Sequence, residues 1–395
     1  MPHRLIWFLA GGHLFTDVNQ GALPALLPFF IAEYRLSYAA AAGLVAALGV
    51  ASTVVQPLFG FYADRISKPW LMQAGLVLAG CGLAVTGFIE DYPSILLAVV
   101  ISGIGIAAYH PEAARWVHQA AGERKATAMS VFGVGGQMGF ALGPAMVVGA
   151  VAVAGLKGTL ILSIPVLLMA FFLGREMGAF REDQEILRGS RPRSADPMMR
   201  DAWVPFSFLT AVGICRSIIF YGLNTFIPLY WIDVLKQSKG AGAGALSILF
   251  AAGVVGNLVG GRLADRYGSK NLIVIGYVAL LPLLWVFLGL QSVTLATLLL
   301  FPMGFVLLST YSPIVVLGQR YLPNHVGLAS GITLGVAVSV GGIVAPVFGK
   351  IADHSGIPAA LMGILVFSFL AILLSIPLRQ PEATASPPHR IERKE

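Results

Sequence analysis

Residues 257–266 read NLVGGRLADR and residues 56–65 read QPLFGFYADR, so one pattern occurs twice at an offset of 201 residues. A second pair of segments supports this spacing, because residues 109–111 (YHP) match residues 311–313 (YSP) at an offset of 202. Two pairs of matching segments with nearly the same offset indicate a duplicated structural unit. The repeats therefore predict two halves with one plan.

The composition indicates that these halves lie in a membrane. Of the 395 residues 57% are hydrophobic and 11% are charged, whereas a soluble domain has about 45–50% apolar and about 25% charged residues. A membrane-spanning helix needs about 20 apolar residues. The sequence predicts an all-α membrane protein with twelve transmembrane helices in two pseudo-symmetric six-helix bundles, at 5–32, 38–63, 69–88, 93–114, 127–153, 157–175, 204–232, 241–264, 270–289, 294–319, 325–349 and 357–378.

A polar stretch divides these helices into two sets of six. We expect a first bundle at 1–175, a cytoplasmic linker at 176–203, a second bundle at 204–379 and a polar cytoplasmic tail at 380–395. Of the 26 Lys and Arg residues, 19 then fall on the side of the N-terminus and five on the other side. This is the bias of inner-membrane proteins whose termini are cytoplasmic. The net charge of +7 therefore reflects topology and indicates no nucleic-acid partner.

The repeated pattern ends in a Gly-x-x-x-Asp-Arg motif followed by a lysine. Its members are Gly60, Asp64, Arg65 and Lys68 in the first half and Gly261, Asp265, Arg266 and Lys270 in the second. Both motifs resemble the loop motif of the major facilitator superfamily. The resemblance implies a conformational latch that holds the cytoplasmic helix ends together. The alternative is a topology-setting loop with solvated charges, worth about 0–1 kcal/mol.

Within that superfamily the chain is similar to the fosmidomycin resistance protein group. The resemblance rests on His13-x-x-x-Asp17-x-x-Gln20, on Gln56-Pro57, on His110-Pro111-Glu112-x-x-Arg115 and on the glycine-rich run from Gly133 to Pro144. Gly139, Gly143 and Pro144 resemble the helix-packing motif of drug/proton exchangers, in which small residues allow close helix contact. The chain departs from those exchangers near Val99, where their helix-four arginine is absent.

The first helix carries polar residues near the middle of the membrane. His13 and Gln20 are four residues before and three residues after Asp17, so the three side chains share one helix face. Ionisable groups at this depth are costly and face a cavity or a partner. We expect Asp17 to carry protons and His13 and Gln20 to contact substrate. The alternative is a structural hydrogen-bond network.

The fourth helix carries His110, Glu112 and Arg115. Glu112 and Arg115 are three residues apart and are therefore neighbours on the helix. Our hypothesis is that this pair opens when Glu112 is protonated, with His110 also in the proton pathway. The alternative is a static ion pair at the membrane edge.

The seventh helix carries Arg216 about twelve residues from its start. A buried guanidinium needs a counter-ion, which is either Asp17 or an anionic group of the substrate. Tyr221 and Asn224 are candidate substrate contacts on the same helix. The resemblance also favours a phosphonate or carboxylate substrate.

We find no nucleotide-binding loop, no nucleophile elbow and no metal-ligand spacing. The chain is therefore expected to be neither an enzyme nor a protein with a metal or cofactor. The favoured function is a proton-coupled exporter (antiporter) of a small drug or metabolite by alternating access, with an anionic solute if Arg216 binds it directly. Protons and membrane lipid are the expected partners, and the expected state is a monomer. The alternatives are a proton-coupled importer of an organic anion or sugar-like metabolite and a non-transporting membrane sensor.

Overall fold

The computed structural model describes residues 4–56, 70–120, 125–187 and 201–380, and these residues form helices and short connections. The helices of the first half are α1 (Arg4–Tyr34), α2 (Tyr38–Val54), α3 (Trp70–Val85), α4 (Tyr92–Ala120), α5 (Lys125–Ala154) and α6 (Thr159–Leu187). Those of the second half are α7 (Trp203–Asp233), α8 (Lys239–Tyr267), α9 (Ser269–Gly289), α10 (Val293–Ser309), α11 (Tyr311–Tyr321), α12 (Val326–Gly331), α13 (Ala337–Ser355) and α14 (Ile357–Ser375). The described part contains no β-strand.

Eight segments of the described chain are long and apolar enough to cross a membrane. Helix α1 is not among them, although it has 31 residues, because its polar residues lower its hydropathy. These residues are buried inside the bundle, as Asp17 and Asn19 show at 5% and 1% exposure. The polar face of α1 is thus surrounded by protein, which indicates a polar site in the bundle interior.

Glycines bring α1 and α5 into backbone contact. A Cβ atom on Gly143 would lie 2.6 Å from the carbonyl oxygen of Val18, and one on Gly139 would lie 2.8 Å from Val18 N. From the opposite helix, a Cβ atom on Gly21 would lie 2.7 Å from the carbonyl oxygen of Phe140. Any larger residue at these positions would push the helices apart. The glycines therefore fix the distance between α5 and the polar face of α1.

Three of the expected helices differ in detail. The segment expected at 294–319 is two helices, α10 and α11, which meet at Thr310, three residues before Pro313, whose ring nitrogen has no hydrogen to donate. The segment expected at 325–349 contains a π-helical turn at Ile332–Val336, a feature that often marks functional regions of helices. Helix α6 continues to Leu187, into the expected linker, because residues 176–187 contain mostly good helix formers.

The two halves meet mainly along α2 with α13 and along α5 with α8. We call the side where α1 begins the Arg4 end and the opposite side the Tyr34 end. At the Tyr34 end, Asp353 of α13 accepts hydrogen bonds from the backbone N–H groups of Tyr38 and Ala39, at 2.7 and 3.1 Å. The Tyr38 hydroxyl donates to Asp233 Oδ2 at 2.6 Å. The halves are therefore held together at this end by polar contacts.

Ion pairs described at the Arg4 end stay within one half. Arg4 pairs with Glu176 at 2.8 Å, and His325 pairs with Asp201 at 2.8 Å. Desolvation of Asp201 favours its neutral form, but hydrogen bonds from the Asn324 backbone N–H and from His325 outweigh this effect and lower the pKa of Asp201. These contacts brace each half separately.

Candidate functional site

The centre of the first half contains a cluster of two histidines and one aspartate, which we call the His–Asp–His cluster (His13, Asp17 and His110). His13 Nε2 lies 3.2 Å from Asp17 Oδ2, and His110 Nε2 lies 3.1 Å from Asp17 Oδ1. Helix periodicity brings His13 next to Asp17, whereas the packing of α4 against α1 brings His110. One carboxylate thus contacts two imidazole rings through separate oxygen atoms.

The other nitrogen of each ring faces a backbone carbonyl group. His13 Nδ1 lies 2.7 Å from the carbonyl oxygen of Phe132, and His110 Nδ1 lies 2.8 Å from that of Ile106. A carbonyl oxygen only accepts hydrogen bonds, so these contacts place a proton on Nδ1 of both rings. The Nε2 atoms that face Asp17 consequently carry a lone pair whenever the rings are neutral.

The cluster is mostly buried, and each of its side chains keeps a small accessible surface. The side chains of His13, Asp17 and His110 are 13%, 7% and 16% exposed. Gln20 Nε2 donates to Asp17 Oδ1 at 3.1 Å, which makes Gln20 a fourth member of this polar face. Residual exposure of both rings is compatible with access from an aqueous cavity.

Gly136 of α5 lies against the cluster. A Cβ atom at this position would collide with His13 Nε2 and would lie 2.6 Å from Asp17 Oδ2. In the sequence, Gly136 is distinguished only as a member of the glycine-rich run from Gly133 to Pro144. Its place next to the polar atoms depends on how α5 packs on α1, which no spacing in the sequence reveals.

Glu112 and Arg115 form the ion pair that their spacing predicts, with Arg115 Nη2 2.8 Å from Glu112 Oε1. The same oxygen accepts a hydrogen bond from Trp116 Nε1 at 3.0 Å. The Glu112 side chain is 1% exposed and that of Arg115 is 21% exposed. His110 and Glu112 both belong to α4. This helix therefore links the Glu112–Arg115 ion pair to the His–Asp–His cluster.

Arg216 lies in α7 with 8% exposure. Its guanidinium carbon lies 4.6 Å from the ring centre of Tyr311 and 6.0 Å from that of Phe220. Within the described residues Arg216 forms no salt bridge, with Asp17 or any other carboxylate, and its Nε atom has no hydrogen-bond partner. A buried cation that faces aromatic rings and no acid suits an anionic ligand.

The other candidate contacts on α7 are also buried. Asn224 is 2% exposed, and its Oδ1 atom has no hydrogen-bond partner in the described part of the chain. Tyr221 is 6% exposed and packs against Gly49 of α2, where a Cβ atom would lie 3.0 Å from the Tyr221 hydroxyl. Tyr221 therefore lies at the boundary between the two halves.

The latch motifs are described in the second half only. Gly60, Asp64, Arg65 and Lys68 lie outside the described residues. In the second motif Asp265 and Arg266 are exposed, the Arg266 guanidinium carbon lies 5.2 Å from the Tyr267 ring centre, and the Lys270 backbone N–H donates to Gln380. A Cβ atom on Gly261 would meet no atom of another described residue within 4 Å. The latch remains a prediction.

Comparison with known proteins explains the duplicated architecture. The family model of the Major Facilitator Superfamily matches residues 9–346. The chain belongs to this superfamily. The expected fold class and the assignment as a transporter rather than an enzyme are thereby confirmed, whereas the count of twelve helices remains a prediction.

Two bacterial relatives cover most of the chain. It is 29% identical to the fosmidomycin resistance protein of Escherichia coli (strain K12), over 87% of this chain and 85% of the relative. It is 26% identical to the uncharacterized MFS-type transporter YfnC of Bacillus subtilis (strain 168), over 91% and 89%. The chain is thus a multi-pass membrane transporter, and the resemblance to the fosmidomycin resistance group is confirmed.

Solved structures show the same fold. A bacterial homolog of the human lysosomal transporter Spinster, in an inward-facing and occupied conformation, superposes with a TM-score of 0.75 at 14% identity, covering 95% of this chain and 96% of that chain. A point mutant of the nucleoside transporter NupG superposes with a TM-score of 0.70 at 16% identity, covering 94% and 98%.

Proposed function

We propose that the protein is a proton-coupled exporter of a small anionic solute that works by alternating access in the inner membrane. Both termini and the Arg4 end face the cytoplasm, as the positive-inside bias indicates. The protein acts as a monomer, with protons and membrane lipid as partners. Asp17, His110, Glu112 and Arg115 couple proton movement to the change of conformation.

The observation that carries this proposal is the pair of Nε2–carboxylate contacts in the His–Asp–His cluster. Both Nδ1 atoms already carry a proton. If both rings were neutral and Asp17 were ionised, the lone pair of each Nε2 atom would therefore face a lone pair of a carboxylate oxygen. A proton in each contact converts it into a charge-assisted hydrogen bond. The cluster can therefore hold up to two protons between its three side chains. Losing the proton between His110 and Asp17 weakens the attraction between α4 and α1.

The Glu112–Arg115 pair gives α4 a second group that responds to protons. While Glu112 is ionised, it accepts hydrogen bonds from Arg115 and Trp116. Protonation of Glu112 removes the charge that Arg115 balances, so the guanidinium becomes available to other anionic groups. Both proton-binding elements thus act on one helix, which supports a coupled movement of α4.

Arg216 supports an anionic substrate. A buried guanidinium without a protein carboxylate is costly, and a phosphonate or carboxylate group of the solute would supply the missing charge. His13 and Gln20 from α1, and Tyr221 and Asn224 from α7, complete the proposed substrate contacts. The name of the E. coli relative favours fosmidomycin, a phosphonate antibiotic, as the first solute to test.

Alternating access is supported by the contacts between the halves. At the Tyr34 end Asp353 and Asp233 bind the start of α2, whereas Arg4 and Asp201 at the other end bind within their own halves. The cytoplasmic latch motifs would close the Arg4 end in the alternative conformation. Transport then consists of exchanging one set of contacts for the other.

Coupling is tested with purified protein in proteoliposomes that contain a pH-sensitive dye. We expect fosmidomycin to drive proton movement through the wild type and to drive at least tenfold less through Asp17→Asn or His110→Gln. His325→Gln serves as the matched control, because His325 pairs with Asp201 outside the cluster, and it should behave as the wild type. Unchanged proton flux in Asp17→Asn combined with Glu112→Gln would defeat the coupling assignment and leave the cluster as a structural network.

The direction of transport is tested in a fosmidomycin-sensitive bacterium. Expression of an exporter protects the cells, whereas expression of an importer makes them more sensitive. We expect protection by the wild type and its loss in Asp17→Asn at equal membrane levels of the two proteins. Heightened sensitivity would replace the exporter with the importer.

A further inference from the structure

The His–Asp–His cluster also has the composition of a metal site, although the sequence shows no metal-ligand spacing. His13 Nε2, His110 Nε2 and a carboxylate oxygen of Asp17 all lie within 4.8 Å of one another. Two imidazole nitrogens and one carboxylate form the ligand set of many open zinc and iron(II) sites, in which further positions remain for water or substrate.

The orientation of the rings is the one that metal-bound histidines adopt. Histidine ligands bind the metal through one nitrogen and donate the other N–H to a carbonyl or carboxylate group, which fixes the ring and its tautomer. The carbonyl groups of Phe132 and Ile106 have this role for His13 and His110. Both Nε2 lone pairs consequently point to the same carboxylate without any change of side-chain direction.

The distances require only a small adjustment. Ligand atoms about 2.0–2.1 Å from a tetrahedral ion are separated by about 3.3 Å, and the two nitrogen–oxygen distances are 3.2 and 3.1 Å. The greatest separation in the cluster, 4.8 Å at most, would shorten by about 1.5 Å, shared by two rings. Gly136 packs directly against these ligands, because a Cβ atom there would collide with His13 Nε2 and lie 2.6 Å from Asp17 Oδ2.

We propose that His13, Asp17 and His110 bind one divalent transition-metal ion of the zinc class, such as Zn²⁺ or Co²⁺, between α1 and α4. Asp17 supplies one negative charge, and Gln20 holds its Oδ1 atom in place. The ion replaces the protons that otherwise lie between the rings and the carboxylate. An anionic solute or water completes its coordination. The transporter thus has a cation site in addition to the proposed anion contact at Arg216.

The experiment is a titration of the tag-free full-length protein in detergent with Co²⁺ at neutral pH, followed by visible absorption, since histidine-bound Co²⁺ is coloured. We expect one equivalent to bind and Zn²⁺ to displace it. His13→Gln, Asp17→Asn and His110→Gln should each weaken binding at least tenfold. Thermal unfolding and gel filtration without metal verify that each variant is folded.

Two further variants separate the cluster from other ligands. Gly136→Ala retains all three ligands, but its methyl group would displace His13 Nε2 and Asp17 Oδ2, so it should also weaken Co²⁺ binding at least tenfold. His325→Gln removes a histidine outside the cluster and should leave binding unchanged. No stoichiometric binding, or equal binding by the wild type and His110→Gln, would overturn the metal site. This measurement needs no transport, so it succeeds or fails independently of the exporter proposal.

Discussion

A side chain at Gly136 would directly disturb the His–Asp–His cluster, since its Cβ atom would collide with His13 Nε2. We predict that Gly136→Ala reduces fosmidomycin-driven proton flux at least tenfold, because its methyl group would occupy space between α5 and two of the three polar side chains. The flux is measured in proteoliposomes with a pH-sensitive dye. Gly133→Ala on the same helix is the matched control, since a Cβ atom there meets nothing within 4 Å. Normal flux in Gly136→Ala would show that the cluster geometry is unimportant for coupling.

Arg216 tests the proposed charge of the substrate. We predict that fosmidomycin raises the melting temperature of the wild type and of Arg216→Lys but not of Arg216→Ala, because a cation in this position balances the phosphonate. The measurement is thermal unfolding with and without ligand. Arg4→Ala is the control, as Arg4 pairs with Glu176 at the edge of the bundle. Equal stabilisation of Arg216→Ala and the wild type would remove the anion contact.

Local spacing predicted those residue contacts that lie on one helix. Gln20 next to Asp17 and Arg115 next to Glu112 follow from the helical repeat. The contact between His110 and Asp17 depends on how α4 crosses α1, and the sequence contains no signal for that crossing. Because the sequence does not show how helices cross, it also allowed a salt bridge between Asp17 and Arg216. The described structure contains no such salt bridge.

At the scale of helices, the contact between Asp353 and the start of α2 joins the two halves and can therefore control conformation. The Asp353 carboxylate binds two backbone N–H groups of the first turn, where the helix dipole also favours a negative charge. These groups otherwise lack helical partners. We predict that Asp353→Asn opens the Tyr34 end, since the neutral amide is a weaker acceptor. A cysteine in place of Ala42, which is buried where α2 faces the second half, should then react severalfold faster with a membrane-impermeant thiol reagent in a background without Cys81 and Cys215.

Asp91→Asn is the matched control for this variant. Asp91 accepts a hydrogen bond from the backbone N–H of Ser94 at 2.9 Å, and this bond lowers the pKa of Asp91. Asp91 caps α4 within the first half rather than across the boundary between the halves. Its loss should therefore leave the reaction rate of the cysteine at position 42 unchanged. Equal acceleration by Asp353→Asn and Asp91→Asn would show that the effect is general destabilisation.

The sequence predicted most of the helices but not this cap. Apolar runs bounded by polar residues locate helices because lipid requires every backbone group to be paired within its helix. The break at Thr310 was missed since Pro313 allows either a kinked helix or two helices. Asp353 was missed because a cap supplied by the other half has no fixed spacing from the helix that it caps.

At the scale of the molecule, the duplicated motif predicted two halves, and the contacts along α2 and α13 show where they meet. The Thr53 and Ser339 hydroxyl oxygens lie 2.5 Å apart across this boundary. They are about 22 Å from the Tyr38 end of α2 at 1.5 Å per residue. The pair thus lies toward the Arg4 end of α2, so it reports whether the two halves also move against each other away from the Tyr34 end.

We predict that Thr53→Cys with Ser339→Cys, in a background of Cys81→Ala and Cys215→Ala, forms a disulfide under mild oxidation, because the two side chains are already in contact. The bond would hold the halves in this conformation, so oxidation should abolish transport and a reductant should restore it. The control pair Asn257→Cys with Ser312→Cys lies within the second half, where the Ser312 hydroxyl donates to Asn257 Oδ1 at 2.7 Å, and its oxidation should leave transport intact. Transport that continues in the oxidised Thr53–Ser339 variant would mean that α2 and α13 stay together at this point throughout the cycle, and the predicted movement at this pair would be wrong.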